Sequence, residues 1–206
     1  MYNRLKKYVS RLFSKLRYGY WYLRNKPRFR QLGKGSYIKK PLKIDGASNI
    51  EIQANVIIGA GTWLASLSLT NCDRSSLILG EGCVIGNYNH IYATSRIEFG
   101  KNVLTADKVY ISDNSHEYND ITVPVLKQPI KQLKEVFIGD GTWIGENVCI
   151  IGACIGKQCV IGSNTVVTKD VPDYCVAVGS PAYIIKRFCF DSNRWKLTKQ
   201  DGSFVD

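Results

Sequence analysis

Residues 137–171 read FIGDGTWIGENVCIIGACIGKQCVIGSNTVVTKDV. An aliphatic residue followed by glycine recurs at Ile138-Gly139, Ile144-Gly145, Ile155-Gly156 and Ile161-Gly162. The first two pairs stand six residues apart, and so do the last two. Four positions after each aliphatic comes a small or apolar residue: Thr142, Val148, Cys159, Thr165. Six is not a helical spacing. It suits a short strand and a tight corner, repeated, with glycine relieving the crowded corner. The pattern predicts a parallel β-helix, in which each unit buries its face only by stacking on the next. Ile144 to Ile155 is eleven residues where two hexads need twelve, so a shortened turn is expected near Gly152.

Upstream the same register runs through Leu79, Ile85, Ile91 and Ile97, then shifts by two to Phe99, Thr105 and Ile111. Ile44 and Ile50 begin it irregularly, and Leu64–Ser76 breaks it, as a loop or an imperfect coil would. Between Ile111 and Ile138 the pattern stops, and Pro124 and Pro129 forbid a regular coil there. Long insertions in a rigid scaffold carry function more often than other segments do. This one, at 112–137, opens with His116, Glu117 and Asp120. The repeats end at Asp170-Val171-Pro172. CVAVGSPA follows as a short strand, and Tyr183–Phe190 reads as a small helix or tail. The expected organisation is a helical segment at 1–43, a β-helix domain at 44–180 and a C-terminal helix or tail at 181–206.

A chain of 206 residues with 45% hydrophobic content can bury a core and need hold only one domain. No run of 18 apolar residues is present, so no spanning helix is expected. The N-terminal region never develops the uncharged apolar segment of a secretory signal. Seven cysteines form no CxxC pair, and Cys83 and Cys159 fall on the small position of the repeat. Buried thiols in a reducing cytoplasm are expected rather than disulfides or a zinc site.

The net charge of +11 is local. Of the 28 basic residues 14 precede Asp45, the first acidic one, leaving 14 against 17 and a net of −3 in the remainder. The basicity therefore gives no reason to expect nucleic acid on the β-helix. It decorates an amphipathic helix over 4–24, with Leu5, Val9, Leu12, Phe13, Leu16, Tyr20 and Leu23 on one stripe. Such a helix can lie on an anionic inner-membrane surface or cap the open end of the β-helix. Tyr18, Tyr20, Trp21 and Tyr22 suit either role, and Pro27 ends the segment.

Three segments carry a resemblance to a known family: IGDGTWIGENV, IGKQCVIGSNTVVTKDVP and VGSPAYIIKR. The chain resembles the hexapeptide-repeat acyltransferases over about residues 44–190. Through VYISDNSHEYND, LKQPI and the Trp-Ile-Gly-Glu-Asn coil it is most similar to sugar O-acetyltransferases of surface polysaccharide synthesis. The resemblance implies a left-handed parallel β-helix and acetyl-CoA as co-substrate, without a metal. It also implies a homotrimer with sites between subunits, and a sugar or glycan acceptor.

His116 aligns with the family's catalytic histidine. Related members often show Asp-His-Asn-His here, whereas this chain has Asp113-Asn114-Ser115-His116, so Asn114 replaces the first histidine and the base is retained. An imidazole suits proton removal from a hydroxyl as its oxygen attacks a thioester. Asp113, Glu117 or a backbone carbonyl can orient it. The resemblance makes the Glu146 N–H the oxyanion donor and Trp143 a wall for the pantetheine arm or a subunit contact. It makes Thr168, Lys169 and Lys186 cofactor contacts, and Asn87, Tyr88, His90 and Asp113 the acceptor side. Asn89 falls on the inward position and is read as structural. The rivals are N-acylation of an amino sugar and a non-catalytic scaffold. A carbonic anhydrase on this fold needs three histidines on zinc, and the chain has two.

Overall fold

The hexad resolves into three flat faces joined by corners. The structure is a computed structural model that describes residues 19–200 and 202–205. The chain winds as a left-handed parallel β-helix of triangular section, and each turn adds one short strand to each face.

The first face stacks Gln31–Leu32, Ile50–Ile52, Ser76–Leu79, Arg96–Phe99 and Val136–Ile138, continued by bridges to Ile155 and Val171. The second runs through Tyr37–Ile38, Ile57–Ile58, Val84–Ile85, Leu104–Thr105, Trp143–Ile144, Val160–Ile161 and Cys175–Val178. The third holds Lys43–Asp45, Trp63–Ser66, His90–Ala93, Tyr110–Ser112, Cys149–Ile151 and Val166–Val167. The β-helix therefore begins at Gln31, ahead of the residue at which the repeats become legible.

The core is the row of inward aliphatics that set the sequence period. Ile138, Ile144, Ile150, Ile155 and Ile161 are fully buried, each contributing about 1.5–3 kcal/mol by leaving water. The small inward positions close the corners. The hydroxyl of Thr142 donates to Gly156 O and accepts from Cys159 N. The thiols of Cys83 and Cys159 donate to Gly100 O and Pro172 O, and burial pushes both up to about 11. At the corner after the first face, a Cβ on Gly139 would stand 2.4 Å from Lys157 N, and Gly141 adopts φ +68°. Asn102, Asn147 and Asn164 hold similar left-handed angles at other corners, as asparagine tolerates better than most residues.

The irregularities fall at corners. The eleven-residue step is absorbed around Gly152, which adopts φ +57°. The two-residue shift reflects longer strands: Ile97 and Phe99 both point inward, as do Ile91 and Ala93. In the broken stretch, Leu64–Ser66 still belongs to the third face and only 67–75 leaves it.

Of the small helix or tail expected at Tyr183–Phe190, no helix forms. Tyr183–Cys189 is a strand that turns back antiparallel on Cys175–Val178, and Arg194–Leu197 pairs with it in turn. The open edge of the second face offers unpaired backbone groups, and a segment rich in Ile, Tyr and Phe satisfies them by adding strands.

At the other end residues 19–25 are helical and run into the 3-10 turn Lys26–Arg28 around Pro27. Trp21 and Tyr22 pack against the core, Trp21 lies 4.9 Å from the Tyr37 ring, and Tyr22 Oη donates to Leu32 O. Tyr20 and Leu23 stay exposed. The amphipathic stripe from Leu5 to Leu16 and Tyr18 lie outside the described residues.

Candidate active site

The long excursion leaves the third face after Ser112 and rejoins the first at Val136. Its root is a two-stranded hairpin in which Asn114–His116 pairs antiparallel with Ile130–Gln132. Asn114 faces Gln132, Ser115 faces Lys131 and His116 faces Ile130. Opposed residues of an antiparallel pair share a face, and successive residues alternate. Asn114, His116, Ile130 and Gln132 thus lie on one side, Ser115 and Lys131 on the other.

His116 is exposed, and its imidazole makes no hydrogen bond among the described residues. Neither expected carboxylate orients it. Asp113 is fully buried, with its oxygens accepting from the backbone N–H groups of Thr94, Ser95 and Arg96 at 2.8, 2.7 and 2.8 Å. Thr94 Oγ1 and Asn114 Nδ2 donate to it as well. Asp113 is thus a fastener of the corner beneath the hairpin, and the acceptor-side role expected of it is corrected. Glu117 Oε2 lies 3.7 Å from Lys131 Nζ, toward the other side of the hairpin from His116.

A second polar centre was not foreseen. Gln132 Nε2 donates to Asp113 O at 2.7 Å and to Leu133 O at 3.1 Å. Its Oε1 accepts from Thr70 Oγ1 at 2.7 Å and Thr94 Oγ1 at 2.9 Å, with Cys72 Sγ at 3.8 Å. The partners come from three separate turns, so no local sequence motif announces the site.

Trp143 stands outward on the second face, half-exposed. Three residues later, at the corner, Glu146 pairs with Lys108 at 3.4 Å, while its backbone N–H meets no acceptor among the described residues. Trp143 shares an outward column with Val160, Val176 and Lys186, one rung apart each. Three rungs span roughly 14 Å. Thr168 and Lys169 are exposed at the corner between third and first faces, on a later turn than the His116 hairpin.

The acceptor-side residues divide. The amide of Asn87 is spent on its neighbours: Nδ2 reaches both Asp107 oxygens at 3.1 Å and Oδ1 accepts from Ala60 N. The bond from Asn87 N, with the two from its Nδ2, holds the Asp107 carboxyl below its ordinary range. Asn87 is therefore a corner brace. Tyr88 is exposed at the same corner at φ 55°. His90 stacks flat on Trp63, with ring centres 4.2 Å apart, and meets the edges of Tyr92 and Tyr110. Burial pushes its pKa down, and Nε2 has no hydrogen-bond partner among the described residues. Asn89 is buried and bonds Ala106 O and Thr105 Oγ1, as its inward position predicts.

Within one chain these groups do not converge. The His116 hairpin springs from the corner between third and first faces, Glu146 from the corner between second and third. The third face lies between them, roughly 15 Å wide at about 3.3 Å per residue.

The triangular β-helix built on this hexad is the fold of the hexapeptide-repeat transferases. Residues 135–169 match the bacterial transferase hexapeptide family model, described as six repeats. WbbJ of Escherichia coli K12, which bears the name "putative lipopolysaccharide biosynthesis O-acetyl transferase", is 30% identical over 166 residues, covering 77% of this chain and 82% of WbbJ. The chain belongs to this hexapeptide transferase family. Rv3034c of Mycobacterium tuberculosis, named a probable acetyltransferase, is 40% identical over 134 residues, 65% of this chain, and the match spans only 44% of that longer protein. The N-acyltransferase AntD of Bacillus cereus, solved with dTDP and 3-hydroxybutyryl-CoA, shares the fold at TM-score 0.66 and 22% identity, over 79% of this chain and 85% of AntD. No helix among the described residues is long and apolar enough to cross a membrane.

Proposed function

We propose that this chain is an acetyl-CoA-dependent O-acetyltransferase for a sugar hydroxyl of a surface polysaccharide or its precursor, working as a homotrimer. One observation carries the reading: His116 and the Trp143–Glu146 corner lie on opposite edges of the third face, and the two faces meeting at the Glu146 corner carry apolar residues outward. On the second face the outward column is Tyr37, Ile57, Val84, Leu104, Trp143, Val160 and Val176. On the third it is Trp63, His90, Tyr110, Cys149 and Val166, with Lys43 at its first rung. Packing the second face of one copy on the third face of the next buries both columns and brings one copy's His116 edge over the other's Trp143 column. Closed cyclic symmetry repeats this contact without leaving a free edge.

In that cleft His116 of one subunit removes the proton from the acceptor hydroxyl as its oxygen bonds to the thioester carbonyl carbon. The Glu146 N–H of the neighbour donates to the oxyanion that forms. Collapse breaks the carbon–sulfur bond, and the imidazolium returns its proton to the departing CoA thiolate. The column from Trp143 to Lys186 suits an extended pantetheine arm ending at a cation for the phosphates. Thr168 and Lys169 then flank the same arm from the opposite subunit. The N-terminal basic residues hold the enzyme at an anionic inner-membrane surface, where a lipid-linked acceptor would be concentrated.

The test is CoA release from acetyl-CoA with neutral sugars, amino sugars and glycans. His116→Ala is expected to cut turnover by roughly 10²–10⁴-fold with folding intact. Mixing His116→Ala subunits with Lys186→Glu subunits, which lose the cation for the CoA phosphates but keep the apolar columns, is expected to restore up to about a third of the sites, because a shared interface reunites intact halves. Release with amino sugars alone would move the assignment to N-acylation. Absence of release with every acceptor class, or full activity in His116→Ala, would remove it.

A further inference from the structure

We propose that Gln132 is the positioning residue of the His116 base, its side-chain amide pinning the hairpin to the β-helix and to the loop at 67–75. The proposal rests on His116 being the base.

Gln132 stands on the same side of the hairpin as His116, opposite Asn114. A carboxamide offers two donors and two acceptor sites, and here all are filled. The donors go to Asp113 O and Leu133 O at the hairpin root. The acceptor oxygen takes Thr94 Oγ1 from the third-face corner and Thr70 Oγ1 from the loop at 67–75. One side chain thus ties together segments 38 and 62 residues away in sequence. Below it Asp113 is a separate fastener, saturated by the 94–96 corner.

The rest of the excursion is held differently. Tyr118, Ile121 and Leu126 are exposed, Ile121 at 96%. Rigidity is concentrated at the root, where displacement of a base by about 1 Å costs on the order of 10²-fold in rate. Asp113 keeps the hairpin attached, and Gln132 fixes its angle. Loss of Gln132 should therefore let the hairpin pivot without detaching it.

The experiment uses the full chain with Gln132→Met, which keeps the length and removes every hydrogen bond. Turnover is expected to fall about 10–100-fold, with KM for acetyl-CoA changing less than about twofold. Amide hydrogen exchange should rise in 114–117 and 67–75 and stay unchanged in 136–167. In the His116→Ala background Gln132→Met should add no further loss, because residues acting through one group are not additive. Thr70→Val, which cuts only the tie to 67–75, should show the same exchange signature with a smaller rate loss, and it carries the test if Gln132→Met does not fold. Wild-type turnover and exchange in the variant that folds would overturn the proposal, as would a full additive loss in the His116→Ala background. If His116→Ala alone keeps wild-type turnover, the base assignment fails first and Gln132 has nothing to position.

Discussion

The first and second faces of the β-helix are built on the same inward row and differ only outside. On the first face the outward column reads Gln31, Glu51, Ile78, Glu98 and Phe137. Arg30 pairs with Glu51 and Arg96 with Glu98 across it. On the second the column is apolar or aromatic from Tyr37 to Val176. The inward rows supply the core in both cases, so folding does not explain the apolar exterior of the second face. A contiguous exposed apolar surface of this kind marks a partner, and exposed strand columns that repeat at every turn suit a second copy of the same β-helix.

The largest test of that contrast compares two residues of equal exposure. Leu104 on the second face is 44% exposed and Phe137 on the first 45%. Leu104→Glu is expected to give monomers by light scattering and to lower turnover by more than about 100-fold, since each proposed site needs two subunits. Phe137→Glu should leave mass and turnover within about twofold. Equal behaviour of the two variants would erase the distinction between faces.

A smaller effect separates inside from outside on one strand. Ile161 is fully buried and Val160 points out beside it. Ile161→Ala should cost about 2–5 kcal/mol in denaturant unfolding, with Val160→Ala well under that in the dissociated monomer. Comparable losses would mean that the outward column also contributes to the monomer's core.

The smallest concerns the third face. Burial disfavours the charged form of His90, so its pKa in the folded state lies below the unfolded value near 6.5. Between the two values the unfolded chain binds more protons. The His90 contribution to stability is thus complete above about pH 6.5 and is lost as pH falls through the folded value. Melting temperature should drop between pH 7.5 and 5.5, and His90→Phe, which keeps the stack on Trp63, should flatten part of that drop. An unchanged slope in the variant would show that other groups govern acid sensitivity.

The faces themselves were legible because the core repeats in sequence at the spacing at which it repeats in space. Ile138, Ile144 and Ile161 each predict their own burial. The apolar outer column was readable too, since Ile57, Val84, Val160 and Val176 each directly precede an inward residue, but period analysis looks only at the inward row. Asp113 and Gln132 were not legible. Their partners at 94–96 and at Thr70 are adjacent only once the turns have stacked. A carboxylate three residues before a histidine looks catalytic until that stacking occupies it. The C-terminal strands were missed because the segment lacks corner glycines, and its pairing partner is an edge that exists only after the β-helix is complete.

That edge has one more consequence. A stack of parallel rungs resembles the growing end of a fibril, where each added rung templates the next. The antiparallel strand Tyr183–Cys189 and its partner Arg194–Leu197 occupy the second face's last rung and present an outer strand bearing Arg194 and Lys196. Reversed direction and charge make a poor template for another parallel rung. On the second face the chain thus carries its own terminator, a stop that closes the edge which the last parallel rung at Cys175–Val178 would otherwise leave open.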